Sequence, residues 1–460
     1  MVFYARTEQR IHDFKFPKRE DTTVKHILHF NKAINNISIL LVFLVIVFIT
    51  IGATAQTNVE QKSFSQIAVS NYQAAQQNSE LSEEEKIKAL IDAYFTLRYE
   101  GQKLLEAQDF SVLVEDNTLS WVKLEKDRRE IELYIASTFG LRYQSYAFTI
   151  NYNSIEVTNN KAVVQLQQSH QVVYEATTPE ISELTNLVHT LTLHSKGGVW
   201  VIYKDEYQDE FTKLLTTTPK EKIKQQIDYN YENSRKSIVT TTETLALTRQ
   251  AFSLLSLPSY SYNRSAANTF SYNNALILQA PIPTAIKNAY QTIYGVPYPS
   301  NWPTTYKNED NNGGDCTNFV SQSIFEGSSY TNGDASYFNP TPDDYNWYYK
   351  FSQYPQGSTT WIRVGWLYDY LLNTDTSKRG PYGIAIGSSS FCTSINPGDP
   401  IFMKSGSDWA HAVIVYSKSS PCTSPSNIRV NSHNSYKRNE PLPTWSGFSW
   451  YGVYIQGYRK

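Results

Sequence analysis

The hydrophobic period of this chain switches from helical to strand-like, and that switch dictates a layered fold. Ile87, Leu90, Ile91, Tyr94 and Leu97 recur at helical spacing behind Ser82-Glu83-Glu84-Glu85, which has the form of a capping box. A second helix is expected around residues 122–139. The period then drops to two. Residues 154–157 and 163–166 flank Asn159-Asn160, and residues 191–194 and 199–203 flank Gly197-Gly198, so each group reads as a hairpin. A helix stripe and a one-faced antiparallel sheet must each bury their apolar side, and each can cover the other. Helices first and a curled sheet afterwards describe an α+β cone over residues 82–216. Its histidines, His170, His189 and His194, read as ordinary sheet residues.

Residues 37–55, from Ile37 to Ala55, carry no charge at all. Nineteen such residues come close to the ~20 that a helix needs to cross a bilayer. Residues 1–36 form a basic leader with seven Lys/Arg against four Asp/Glu. That excess places the amino terminus in the cytoplasm and the body outside. Ala53-Thr54-Ala55 also fits the small-x-small pattern of a signal-peptidase site, so a retained transmembrane anchor and a cleaved signal peptide both stand. The body is exported either way. Residues 56–81 are polar and rich in Ser, Gln and Asn, the composition of a linker. Residues 217–258 form a charged, Thr-rich connector with one helical piece at 220–238. From residue 259 to residue 460 Gly, Asn, Ser, Pro, Tyr and Trp become dense, which marks a second domain. The whole chain has a net charge of −2, so it offers no electrostatic footprint for nucleic acid.

All three cysteines lie in that second domain. Gly313-Gly314-Asp315-Cys316-Thr317-Asn318-Phe319 places Cys316 on a two-glycine turn ahead of a helix whose cap would be Asp315. A helix amino terminus favours a thiolate, and its free N–H groups can serve as part of an oxyanion hole. Trp409-Ala410-His411-Ala412-Val413-Ile414-Val415 places His411 at the mouth of an apolar strand. A thiol needs a base, so Cys316 and His411 read as nucleophile and activator. The next strand, residues 427–433, turns Asn431 and His433 to one face. His433, Asn431 or Asn434 would then be the third, orienting residue. In an exported domain Cys392 and Cys422, outside the motif, could form a disulfide that leaves Cys316 free, or stand as two unrelated thiols. No metal-ligand spacing and no phosphate loop are present, and no cofactor is expected. The aromatic cluster between Tyr337 and Trp366 suits either a substrate groove or a core.

Four stretches carry a family resemblance: residues 262–267 beginning Tyr262-Asn263-Arg264, residues 313–322 around Cys316, residues 409–415 around His411, and Val430-Asn431-Ser432-His433. Over about 200 residues they resemble a bacterial amidase domain related to the NlpC/P60 and CHAP cysteine hydrolases. The resemblance implies a papain-like α+β core that cuts amide bonds, often in cell-wall peptidoglycan, with Cys316 as nucleophile and His411 as base. Asp399 is followed by Pro400 where an aliphatic residue is usual, and Pro is tolerated at the start of a strand. Residues 82–216 resemble the NTF2-like superfamily in element order. The expectation is an exported cysteine amidase acting on peptidoglycan; the rival is a non-catalytic wall-binding or assembly protein that keeps the fold.

Overall fold

Two capping boxes open the folded chain. Ser63 and Gln66 exchange hydrogen bonds at the start of α1 (Phe64–Gln77), and Ser82 and Glu85 do the same for α2 (Glu83–Leu104). The computed structural model describes residues 63–207, 209–236, 259–309, 315–328, 346–351, 355–373, 379–434 and 436–459. The basic leader, the apolar run 37–55 and Gly313-Gly314 lie outside the described residues. Among the described residues, no helix is long and apolar enough to cross a membrane.

α1 occupies much of the stretch expected to be a linker. It is docked, because Tyr72 is buried and its hydroxyl donates to the Trp200 carbonyl at 2.9 Å. Composition misled here: most of the Ser, Gln and Asn residues of α1 face solvent, while one aromatic side chain anchors the helix. After α3 (Ser120–Phe139) come four antiparallel strands, β1 (Tyr143–Thr158), β2 (Lys161–Tyr174), β3 (Ile181–Lys196) and β4 (Val199–Tyr207). Both anticipated turns are present, at Asn159 with φ of 54° and at Gly197-Gly198. α4 (Glu210–Thr217) and α5 (Lys220–Lys236) follow.

The carboxyl-terminal half contains β5 (Ser259–Tyr260), α6 (Arg264–Asn274), α7 (Thr284–Tyr294) and α8 (Asp315–Gly327), then a small ribbon of β6 (Tyr349–Lys350) and β7 (Gln356–Gly357). Two short helices, α9 (Thr359–Ile362) and α10 (Val364–Leu371), lead to β8 (Gly380–Gly387) and α11 (Phe391–Ser394). The last strands are β9 (Pro400–Ser405), β10 (Asp408–Lys418), β11 (Ile428–Ser432), β12 (Lys437–Pro441) and β13 (Ser449–Arg459).

One sheet runs through both halves, in the order β1-β2-β3-β12-β11-β10-β9-β13-β5, with β4 on β3 and β8 on β13. The boundary expected between residues 82–216 and 259–460 is therefore bridged. Lys437 pairs with Leu184 and Arg438 with Glu183 in antiparallel register. Ser182 Oγ donates to the Asn439 carbonyl at 2.7 Å, Asn439 Nδ2 donates to the Ile181 carbonyl at 2.9 Å, and Arg438 forms an ion pair with Glu183. The sequence hid this seam because β12, Lys437-Arg438-Asn439-Glu440-Pro441, has no apolar alternation and its partner is some 250 residues away in the chain.

Alternation along the shared strands sorts the core into two layers. Ile401, Met403, Val413, Val415, Ile428 and Val430 join the helices and sheet of the amino-terminal half. Phe402, Ala412, Ile414, Val453 and Ile455 face the other way, onto a layer that contains Cys316, Phe319 and Val320 of α8. Trp347, Tyr349 and Trp361 are buried in that second layer, so these members of the aromatic cluster are core rather than a substrate groove. Trp366 remains exposed.

Two of the sequence motifs turn out to be clamps. The Tyr262 hydroxyl donates to the Gly398 carbonyl at 2.7 Å, and Arg264 reaches Asp399 at 3.2 Å. Asp399 also accepts the backbone N–H of Asn396 and of Ile455, so it staples the turn that feeds β9 to β13. Gly398 sits at φ of 88°, and a Cβ there would meet the Arg264 carbonyl oxygen at 2.9 Å. Cys392 and Cys422 form a disulfide across a separation of 30 residues, and Cys316 is a free thiol.

Candidate active site

The helix that carries Cys316 starts at Asp315, two residues before the expected start. Asp315 does not cap it with its side chain. Its Oδ1 accepts the Glu309 N–H at 3.2 Å and the Asn318 amide at 2.6 Å, while Oδ2 lies 2.6 Å from His433 Nδ1. The cap comes from another part of the chain: Asn434 Oδ1 accepts the Cys316 backbone N–H at 3.0 Å. Asn434 holds a left-handed backbone, with φ of 84°, which asparagine tolerates better than most residues. The Cys316 N–H is thus already engaged and would serve an oxyanion only if Asn434 gave way.

Burial dominates the thiol. Cys316 is 1% exposed, and its pKa is pushed up to about 12, because removal from water penalises the charged form. The nearby carboxylates of Glu210 and Asp315 push in the same direction. The Ala412 backbone N–H and the Thr317 hydroxyl, 3.7 Å from the sulfur, pull the other way without prevailing. The thiolate expected from the helix terminus is therefore not the resting form.

α8 packs on β10, and the Ala412 amide that reaches the sulfur belongs to the residue after His411. The structure brings α8 against the strand of His411, but among the described residues no hydrogen bond joins the pair: His411 pairs with Met403 and shares its face, on the amino-terminal layer, while Ala412 faces Cys316. Both nitrogens of His411 lack a hydrogen-bond partner, and the ring is fully buried. It stacks on Trp445 with centroids 6.0 Å apart, and its Nδ1 lies 3.6 Å from Glu210 Oε1 at the start of α4. Burial lowers the His411 pKa; Lys437 adds to that, and Glu210 opposes it.

The expected third residues are occupied elsewhere. His433 Nε2 faces the Asn274 carbonyl at 3.0 Å, and Nδ1 faces Asp315, while Phe319 stacks on the ring at 4.0 Å. A carbonyl only accepts, so Nε2 donates to Asn274. Asn431 donates to Ser271 Oγ at 3.1 Å and accepts the Asn439 N–H at 2.8 Å. Neither residue orients His411. Asn434 is the one member of the trio that touches the Cys316 backbone. His433 and Asn431 fail because β11 turns their side chains toward α6 and α8, which period-two patterning could not specify.

Sequence reasoning missed Glu210 entirely. Its signal is faint: Asp209-Glu210 opens a helix of the half that showed no chemistry. Asp209 Oδ1 caps that helix through the Thr212 N–H at 2.6 Å, and Asp209 Oδ2 pairs with Arg128 at 2.7 Å. A cavity of about 980 Å³ opens beside this junction. Thr190, Asp205, Tyr207, Thr212, Asn434 and Tyr436 are among its lining residues, so it reaches the residue bonded to Cys316. The histidines of the first half are tied up structurally: His189 with Asp205 at 2.9 Å, His194 with Glu115 at 2.7 Å and His170 with Tyr99 at 2.7 Å.

The fold is mixed α+β, and the site combines a buried thiol on a helix start with an imidazole on an adjoining strand. Residues 281–456 match the family described as "Putative amidase domain". The match supports an amidase-like domain in that stretch and suggests hydrolysis of C–N bonds. No curated protein and no solved structure matches the chain.

Proposed function

We propose that this chain is an exported cysteine hydrolase that cleaves amide bonds, with peptidoglycan as its substrate. The observation that carries the reading is the packing of α8 on β10, with the Ala412 N–H at the Cys316 sulfur, which lays the thiol helix against the strand that bears His411. The resemblance to NlpC/P60-type, papain-like hydrolases supports the same assignment, and the NTF2-like order of residues 82–216 makes that half a scaffold for the cleft. Export rests on the apolar run 37–55, and the Cys392–Cys422 disulfide suits an oxidising compartment.

Proton transfer must accompany attack, because burial keeps the thiol neutral. Once its ring has left the Trp445 face and turned to the thiol, His411 takes the Cys316 proton as the sulfur adds to the amide carbonyl, and the charge passes to a tetrahedral oxyanion. Collapse breaks the C–N bond, and the imidazolium returns its proton to the leaving amine. The thioester that remains is hydrolysed when His411 deprotonates water, which releases a carboxylate and restores the thiol. The oxyanion takes the place of Asn434 Oδ1 at the Cys316 N–H, the motion that opens the cavity to the sulfur.

Cys316→Ala and His411→Ala should each abolish release of muropeptides from purified cell wall, read by mass spectrometry on protein shown to be folded. Full activity in either variant refutes the reading. One observation favours the wall-binding alternative: Cys316 and His411 are 1% and 0% exposed. Iodoacetamide separates the two. An activated thiol alkylates near neutral pH in a His411-dependent manner, whereas a sealed structural thiol reacts only after unfolding.

A further inference from the structure

We propose that a second cavity, between α2, α3 and β12, is a binding site for a short aliphatic carboxylate whose charge is met by Arg98 and Lys437. Its volume is about 110 Å³. A cavity of roughly 150 Å³ takes up benzene, so this one suits a ligand of about five or six non-hydrogen atoms. Ile135, Ala136, Leu184 and Phe211 supply apolar wall, which calls for an aliphatic end on the ligand. The site belongs to the amino-terminal layer of the core and is independent of the thiol chemistry proposed above.

The polar capacity left over on the walls is mostly that of donors. Gln102 is 8% exposed, and its side-chain amide has no hydrogen-bond partner among the described residues. The Tyr143 hydroxyl and Lys437 Nζ have none either; Lys437 only covers the Trp445 ring, at 4.7 Å. Arg98 spends one of its N–H groups, Nη2 on Glu132 at 3.2 Å. Donors shut away from water without an acceptor are costly. The carboxylates on the same walls are already committed. Arg128 donates to Glu132 at 2.9 Å and to Asp209 at 2.7 Å, and Glu440 accepts the Tyr174 hydroxyl at 2.9 Å. Burial raises the Glu440 pKa, which favours its neutral form and leaves Lys437 short of a countercharge. His170 adds no charge, because burial pushes its pKa down to about 3. A ligand carboxylate is acceptor-only and answers both cations with charge-assisted bonds. Lys437 pairs with Leu184 across the β3–β12 seam, so a ligand held by Arg98 of α2 and Lys437 of β12 spans the junction of the two halves.

The test is saturation-transfer-difference NMR on the full chain, with sodium butyrate as the probe and butyramide as its uncharged isostere. Butyrate should saturate with a dissociation constant on the order of 1 mM, the scale open to so small a ligand. Butyramide should bind about tenfold more weakly, for want of the charge-assisted bonds. Lys437→Met keeps the stem over Trp445 and removes the charge, so it should weaken butyrate about tenfold and leave butyramide unchanged. Ala136→Leu fills the cavity and should abolish binding of both. Equal binding of butyrate and butyramide, wild-type affinity for butyrate in Lys437→Met or in folded Ala136→Leu, or no saturation at all, overturns the proposal. Should Ala136→Leu fail to fold, Lys437→Met, at a partly exposed position, still decides. None of these readouts involves cell-wall hydrolysis, so the cysteine mechanism stands or falls separately.

Discussion

Removing the Cys392–Cys422 bridge measures how far the shared sheet makes one folding unit of the two halves. The double variant Cys392→Ser/Cys422→Ser frees a loop closed over 30 residues. Loop-closure entropy puts the loss at about 3.6 kcal/mol near room temperature. The unit from Lys62 to Lys460 spans roughly 400 residues, and unfolding entropy scales with size at about 2 cal/mol/K per residue, so full cooperativity predicts a melting temperature lower by about 4 °C. Were the carboxyl-terminal half to melt alone, the same loss over roughly 200 residues would give about 8–9 °C. Differential scanning calorimetry of the oxidised protein and the double variant reads the shift and counts the transitions. One transition displaced by about 4 °C is the expected result. Two transitions, or a single shift near 8 °C, refute coupling through the β3–β12 seam; no shift at all refutes the bridge as a stabilising element.

Three further outcomes follow from particular side chains. Burial raises the Asp399 carboxyl from 3.8 to about 6 despite Arg264; its contribution to stability is present below about pH 4 and lost as pH rises through 6. Asp399→Asn should flatten the stability profile between those values, and an unchanged slope in urea melts would contradict this. Gly327 ends α8, and a Cβ there would lie 2.2 Å from the Tyr262 ring. Gly327→Ala should cost about 1–3 kcal/mol, and less in a Tyr262→Ala background; additive losses would refute the contact. Separating the halves at the seam with Arg438→Glu should expose apolar surface and bind a hydrophobic dye, whereas a silent variant would mean that the Glu183 pair is dispensable.

Local chemistry was legible where it acts within a few residues. The Ser82–Glu85 box, both hairpin turns and the helix at residues 120–139 all rest on short-range patterns. The spacing of 30 residues between Cys392 and Cys422, with the expectation of export, suggested a bridge that is present. The docked α1 was hidden because one buried Tyr72 outweighs a polar composition. Glu210 was hidden because nothing in Asp209-Glu210-Phe211 points to a histidine about 200 residues further on.

The sequence alone determined which chemistry is available: a thiol ahead of a helical run, an imidazole at an apolar strand, and strands whose alternation requires two buried layers. Tertiary structure alone decided which partners meet. Hydrogen bonds across β3 and β12, the Asn434 cap on Cys316 and the Glu210 approach to His411 all join residues more than 100 positions apart. Such contacts depend on packing geometry rather than on neighbouring side chains. The same packing keeps the thiol neutral, because desolvation of Cys316 outweighs the helix terminus that would otherwise ionise it.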